Sequence, residues 1–433
     1  MSLKHYDWSD FNSPPEIEEH SLVKHKMLAF YLERYIKVLT ADPRYPTLKL
    51  WLIDGFAGGG QYSIANSDER HDGSPLILLK TVDKMRLEVQ TKRENPFDID
   101  AKYFFVEKDA NAYNFLKNTL KNECYIADFD KNIRVINDSF VSAFPKILQQ
   151  IQANKQRNPR CIFLLDQYGY KDVPFTTLKT IFATFPNAAE VLLTFATESL
   201  ISYMSEGRFQ TAMKNAGLES IITKELIDSF RDTASYEKRS ARLIVEQTLA
   251  TYILENSGAR FFTPFFIVSK KSRRSFLLIH LSCNWRARDE MNQTHWELHN
   301  HTHHYGMAGL KNFRSESRLI TTLGYDIFHN EEQASFEYQF DDQAEKQTYD
   351  ALREELPEKI WEHKGQKITV GDLLIENCNY TPANSKHFKK TLEELIKYKS
   401  IRVFSSDGKH ERFTHNTIRN DDIIEFKQKS LFL

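Results

Sequence analysis

The chain has 433 residues, room for two or three domains at roughly 150 residues each, and its 58 Lys and Arg against 59 Asp and Glu exclude a chain-wide polycation while leaving a local basic face open. Its cysteines stand singly with no C-x-x-C pair, which argues against a zinc ribbon, an iron–sulfur cluster or a disulfide framework. No apolar run approaches the roughly 18 residues of a membrane span and the start, MSLKHYDWSD, lacks a signal-peptide core, so a cytoplasmic protein with no membrane partner is expected.

The first helix signal starts at Ser21, a candidate cap, with Leu28, Tyr31, Leu32, Tyr35 and Ile36 on one face. Leu48 to Ile53 then reads as a buried strand. After a polar insertion over 66–100 come further short apolar runs: Tyr103–Val106, Ile133–Ile136, Ile162–Leu165 and Val191–Phe195. Helix-like stretches separate them, the rhythm of a parallel sheet covered on both faces. Phe261–Val268 and Phe276–Leu281 are joined by only a short basic turn, so that pair must be antiparallel. Five parallel strands and a terminal hairpin give the chain order of an α/β, Rossmann-like class I methyltransferase sheet. It is expected over residues 1–330, with a helical insertion at about 200–260.

An acidic linker is expected over 331–350, and residues 351–433 read as an α+β winged helix-turn-helix domain. Thr369–Asn377 and Ser385–Lys399 form its helices there. Ile401–Phe404 and Glu411–Thr414, joined across Asp407-Gly408, form the hairpin.

The most specific local signal is Asp54-Gly55-Phe56-Ala57-Gly58-Gly59-Gly60, directly after the first strand. Glycines there let the backbone turn tightly and approach a ligand closely. A dinucleotide fingerprint would read G-x-G-x-x-G; Asp-x-Phe-x-Gly-x-Gly resembles instead the first S-adenosylmethionine motif. Asp54, Gly55, Phe56, Gly58 and Gly60 are therefore candidate cofactor contacts. Glu107, ending the second strand, can accept ribose hydroxyls. Asp138, followed by Ser139 at the end of the third, can accept the adenine amine; either acid can equally be a helix cap. The fourth strand runs into Asp166-Gln167-Tyr168, placed as the catalytic loop. It resembles the Asp/Asn-Pro-Pro-Tyr loop of amino-methyltransferases, whose polar residue meets the acceptor while the aromatic ring stacks on it.

His295 and His299 are four apart, a helical metal-ligand spacing, yet no carboxylate or cysteine set accompanies them and no metal is assigned. In the winged helix, Lys386, Lys389 and Lys390 near the second helix start and Lys409 and Arg412 beside the wing turn are placed for phosphate contacts with DNA or RNA. A protein-docking role is the open alternative.

With these residues assembled, the chain resembles the bacterial three-Cys-motif partner (TcmP) family. The resemblance rests on Ser21-x-x-Lys24-His25 with Leu28-x-x-Tyr31-Leu32, Ile53-Asp54-Gly55-Phe56-Ala57-Gly58, Gly73-Ser74-Pro75-Leu76, Phe104-Phe105-Val106-Glu107 and Asp166-x-Tyr168-Gly169. The family usually carries Asp-Pro-Tyr where this chain has Asp166-Gln167-Tyr168. The resemblance implies an S-adenosylmethionine-dependent methyltransferase paired with a radical-S-adenosylmethionine-like protein bearing three cysteines. The function expected is methyl transfer to nucleic acid, and the alternative is a catalytically inactive scaffold.

Overall fold

A computed structural model describes residues 6–154, 159–167, 172–195, 249–268, 275–299, 303–304, 308–310 and 338–426. The chain divides into two units, 1–290 and 291–433. In the first, α1 (Glu19–Leu39) precedes β1 (Thr47–Asp54), the short hairpin β2 (Gln61–Ser63) and β3 (Arg70–Asp72), α2 (Ser74–Thr91) and β4 (Asp98–Glu107). There follow α3 (Ala110–Asn122), β5 (Ile133–Asn137), α4 (Phe140–Ala153), β6 (Arg160–Asp166), α5 (Phe175–Thr184) and β7 (Ala189–Phe195). The unit closes with β8 (Phe261–Val268), β9 (Ser275–Ser282) and the start of α6 (Trp285–Leu298).

β1 is buried along almost its whole length because it is the central strand, pairing in parallel with β4 on one side and β6 on the other. Its Trp51 lies flat on Phe104 of β4, ring centroids 5.6 Å apart. Burying each such apolar side chain contributes about 1.5–3 kcal/mol, which is why these runs read as strands. β5 adds in parallel outside β4, and β7 outside β6. β9 then pairs antiparallel with β7, and β8 antiparallel with β9. The seven strands therefore lie in the order β5-β4-β1-β6-β7-β9-β8, as the sequence pattern predicts.

Two local expectations change. Ser21 does not cap α1: the helix starts at Glu19, and the Ser21 amide already donates to the Glu18 carbonyl at 2.9 Å. The polar insertion over 66–100 holds β3 of the β2–β3 hairpin, then a regular covering helix, α2, which buries Leu76, Leu78, Leu79, Val82 and Met85, and the start of β4. Of the expected 200–260 insertion, 200–248 lies outside the described residues, and 249–257 is helical as expected. Among the described residues no helix is long and apolar enough to cross a membrane.

The second unit contains a short antiparallel pair, β10 (His303–His304) with β11 (Tyr338–Gln339), followed by α7 (Asp342–Glu362). It continues through β12 (Ile368–Thr369), α8 (Val370–Asn377), α9 (Ser385–Lys397), β13 (Ile401–Phe404), β14 (Glu411–Arg412) and β15 (Ile423–Phe426). Residues 342–350, expected as linker, are instead the first turns of α7. Asp341 caps it, and Ala344, Thr348, Leu352, Leu356 and Ile360 are buried at four-residue spacing. The acidic residues are its polar face. Asn384 caps α9 with His387 in a reciprocal box. The wing turn closes at Gly408, φ +72°, whose amide donates to the Ser405 carbonyl at 2.7 Å.

Candidate active site

The loop leaving β1 is drawn tightly over the sheet. The Gly55 amide donates to Leu164 O at 2.9 Å and the Ala57 amide to Val106 O at 3.0 Å. A Cβ on Gly55 would stand 2.9 Å from carbons of both Leu165 and Phe140, so no side chain fits. Gly58 and Gly60 take φ of +60° and +81°, backbone that glycine adopts without strain. Asp54 is fully buried beneath this loop; its Oδ1 accepts from the Phe56 amide at 3.1 Å while Oδ2 has no hydrogen-bond partner. Burial pushes its carboxyl up to about 7.

A cleft of about 610 Å³ opens at the carboxyl ends of the strands. Gly55, Phe56, Gly58, Glu107, Asp138, Ser139, Asp166 and Gln167 all line it, whereas Asp54 and Gly60, expected as cofactor contacts, do not. Glu107 accepts the Gly58 amide at 2.8 Å and the Asp109 amide at 2.7 Å, tying the glycine loop to the end of β4. Burial raises its pKa against those hydrogen bonds. Ser139, not Asp138, caps the following helix, accepting from Ser142 N; the Asp138 carboxylate bonds only locally, to the Ser139 amide at 2.7 Å.

At the other end of the cleft, Lys24 of α1 donates to both oxygens of Asp166. Burial works to raise the Asp166 pKa, but the Lys24 ammonium, with hydrogen bonds from Lys24 and Thr194, outweighs it and the carboxyl sits below its ordinary value. Gln167 is buried, and its side-chain carbonyl accepts from the Val173 amide at 3.1 Å, so that oxygen folds its own loop back. Tyr168 lies outside the described residues.

Sequence reasoning singled out neither Lys24 nor the aromatic wall of the cleft. Residues 14–17 run beside β2, with Ile17 N donating to Ser63 O at 3.0 Å, and the preceding turn places Tyr6 and Trp8 against Tyr62 and Phe115. Trp8 sits so close to Gly59 that a Cβ there would be 2.2 Å from its ring. The only signal for Lys24 was its place in Ser21-x-x-Lys24-His25. The aromatic residues had none, because an irregular segment carries no periodicity.

The strand order decides the fold. The first unit is a class I methyltransferase sheet. Residues 326–408 match the family model of the GMT-like wHTH domain. Among solved structures, a Listeria monocytogenes putative class I S-adenosylmethionine-dependent methyltransferase is 10 % identical, covering 62 % of this chain and 63 % of its own, with a TM-score of 0.28. A putative methyltransferase from Methanococcus maripaludis is 10 % identical over 66 % of this chain and 98 % of its own, TM-score 0.26. A Legionella pneumophila protein is 10 % identical over 61 % and 85 %, TM-score 0.32. No curated protein sequence matches the chain.

In the winged helix, Lys386 and Lys409 are exposed, as a phosphate-binding role requires. Lys389 and Lys390 are half-buried, Lys390 holding its ammonium 5.3 Å from the centre of the Tyr349 ring. Arg412 differs from expectation: its guanidinium is paired at 3.0 Å with Asp422, which is 1 % exposed, so it is part of the domain's own packing. A buried carboxylate without that partner would be costly. Of the histidine segment, His299 lies next to the Phe340 carbonyl at 2.7 Å and the His295 ring packs near Phe340. Among the described residues no three His, Cys, Asp or Glu side chains gather to hold a metal ion.

Proposed function

We propose that this protein is an S-adenosylmethionine-dependent methyltransferase acting on nucleic acid, with the winged helix holding the DNA or RNA substrate. The observation that carries the reading is the meeting of Gly55, Gly58, Glu107 and Asp138 around one cleft at the carboxyl ends of three adjacent strands. The donor set fits the cofactor. Each Glu107 oxygen accepts one backbone amide and keeps a second lone pair for a ribose hydroxyl. Asp138 is free to turn one oxygen towards an adenine amine, and the bare backbone at Gly55 and Gly58 admits a ligand at close range. When bound, the cofactor supplies an electrophilic methyl group on a sulfonium.

Methyl transfer then needs mostly positioning. Asp166, Gln167 and Tyr168 orient the acceptor, a flipped base stacking on Tyr168. The winged-helix match over 326–408 supports the nucleic-acid substrate, and the TcmP resemblance supports a bacterial protein paired with a three-Cys, radical-S-adenosylmethionine-like partner. A second reading, a catalytically inactive scaffold, is favoured by Gln167, which stands where the resembled family carries proline and turns its side-chain carbonyl back onto the Val173 amide.

Two measurements separate them. Calorimetry with S-adenosylhomocysteine should give saturable binding to the full chain, and none at all would sink both readings. Tritiated methyl transfer to mixed DNA and RNA should label one of them; binding without labelling of any pool leaves the scaffold reading.

A further inference from the structure

The acceptor half of the cleft is assembled from elements far apart in sequence. Lys24 donates from Nζ to Asp166 Oδ1 at 2.7 Å and Oδ2 at 2.5 Å. Its side chain is only 11 % exposed, whereas Asp166 leaves 31 % of its own open to the cleft. The ammonium lies 5.8 Å from the centre of the Phe276 ring, on which His20 stacks at 4.2 Å. A nearly buried ammonium is tolerated only when paired, so this contact is held in place from the lysine side. The carboxylate, the more open partner, retains lone pairs towards the cleft.

We propose that Lys24 is a positioning residue for the acceptor: by holding both carboxylate oxygens it fixes one Asp166 orientation and keeps it an anion that accepts the acceptor's N–H or O–H. This rests on the methyltransferase reading. The acceptor's nitrogen or oxygen forms its bond to the methyl carbon as the sulfur–carbon bond breaks, and that electron pair returns to sulfur. The acceptor, now carrying the positive charge, releases its proton to water. Asp166 orients throughout and need not take the proton first.

The other groups acting on Asp166 are His20 and His25 from α1, Tyr6 from the segment before it, Asp54 from β1 and Thr194 from β7. Lys24 is the largest favourable influence on its charge, so removing it should have a readable consequence.

The test uses the full chain and compares Lys24→Met with Lys24→Arg. Carboxyl-carbon NMR of aspartate-labelled protein, with Asp166→Asn to assign the signal, should show the Asp166 titration moving up by about one pH unit or more in Lys24→Met and returning in Lys24→Arg. Lys24→Met should bind S-adenosylhomocysteine as the native chain does, which also shows that it folds. Its methyl transfer should fall by about tenfold or more, with Lys24→Arg restoring most of it. An unmoved titration, native transfer by Lys24→Met, or no rescue by Lys24→Arg overturns the proposal. Absence of transfer by the native chain overturns the reading beneath it, and a titration that still moves tells the two failures apart.

Discussion

Lys24 and Asp166, 142 residues apart, close a two-point ion pair at one end of a helix that is tied down along its length. One face of α1 carries the other ties. Tyr31 donates to Glu190 of β7, which also meets His280 of β9 at 2.9 Å, and Arg34 pairs with Glu290 at 2.7 Å. The helix thus runs antiparallel to β6 and β7 and parallel to β9, and its first turns form a wall of the cleft. A helix fixed at three points delivers the Lys24 ammonium without loop mobility.

Replacing Glu107 with Ala should weaken S-adenosylhomocysteine binding by about 1–3 kcal/mol, the order expected for losing hydrogen bonds to a charged acceptor. The same change releases the Gly58 amide, so the glycine loop should also lose hydrogen-exchange protection. Equal calorimetric affinity for the variant would show that the ribose contact lies elsewhere.

Gly59→Ala drives a Cβ into the Trp8 ring. Overpacking of this kind costs about 1–3 kcal/mol in chemical denaturation. Trp8→Leu in the same chain should relieve most of it, so the two changes should be non-additive in a double-mutant cycle. Additive losses would mean that the N-terminal segment does not rest on the loop.

His25 should make the protein acid-sensitive. Burial, together with the neighbouring His71 and Lys24, pulls its pKa down to about 3 from an ordinary 6.5. Between those values the unfolded chain binds more protons than the native one, so stability rises with pH. The contribution is complete above about pH 6.5 and is lost as pH falls towards 3. Urea unfolding at pH 7.5 and 5.5 should show the native chain losing about 1–1.5 kcal/mol more than His25→Phe over that interval. Equal losses would place the proton elsewhere.

Charged residues of the winged helix should separate into two kinds. Arg412→Met leaves Asp422 buried and unpaired and should cost about 3 kcal/mol of stability. Lys386→Ala and Lys409→Ala should leave stability within about 0.5 kcal/mol. They should weaken nucleic-acid binding and flatten its log–log salt dependence by about 0.9 for each duplex-DNA phosphate no longer neutralised. Titrations at two salt concentrations check this; unchanged slopes would favour protein docking.

Much of the first unit was legible because its signals are local. Apolar runs such as Leu50–Ile53 and Phe104–Val106 report strands buried on both faces. The short spacing between Val268 and Ser275 admits only an antiparallel pair, and glycines at 55, 58 and 60 report tight backbone wherever they fold. The same local patterning exposed two helices and the wing of the carboxyl-terminal unit. It misread the first turns of α7 as a linker, since an amphipathic helix with an acidic outer face resembles a solvated tract when only its charge is counted.

Charge and contact across the fold were not legible. A lysine on a helix is by default a solvated lysine, and nothing near residue 24 announces that its partner ends a strand 142 residues later. Arg412 read as a phosphate ligand because Asp422, which claims it, meets it only when β15 has joined the wing sheet. Tyr6 and Trp8, in an irregular segment, gain their role from Tyr62 and Phe115. Hydrophobic periodicity fixes which face of each element is buried, and so the sequence determined the elements and their order. Which charges pair and which rings wall the cleft depends on distances that exist only once the elements have packed, and that was decided by the tertiary structure.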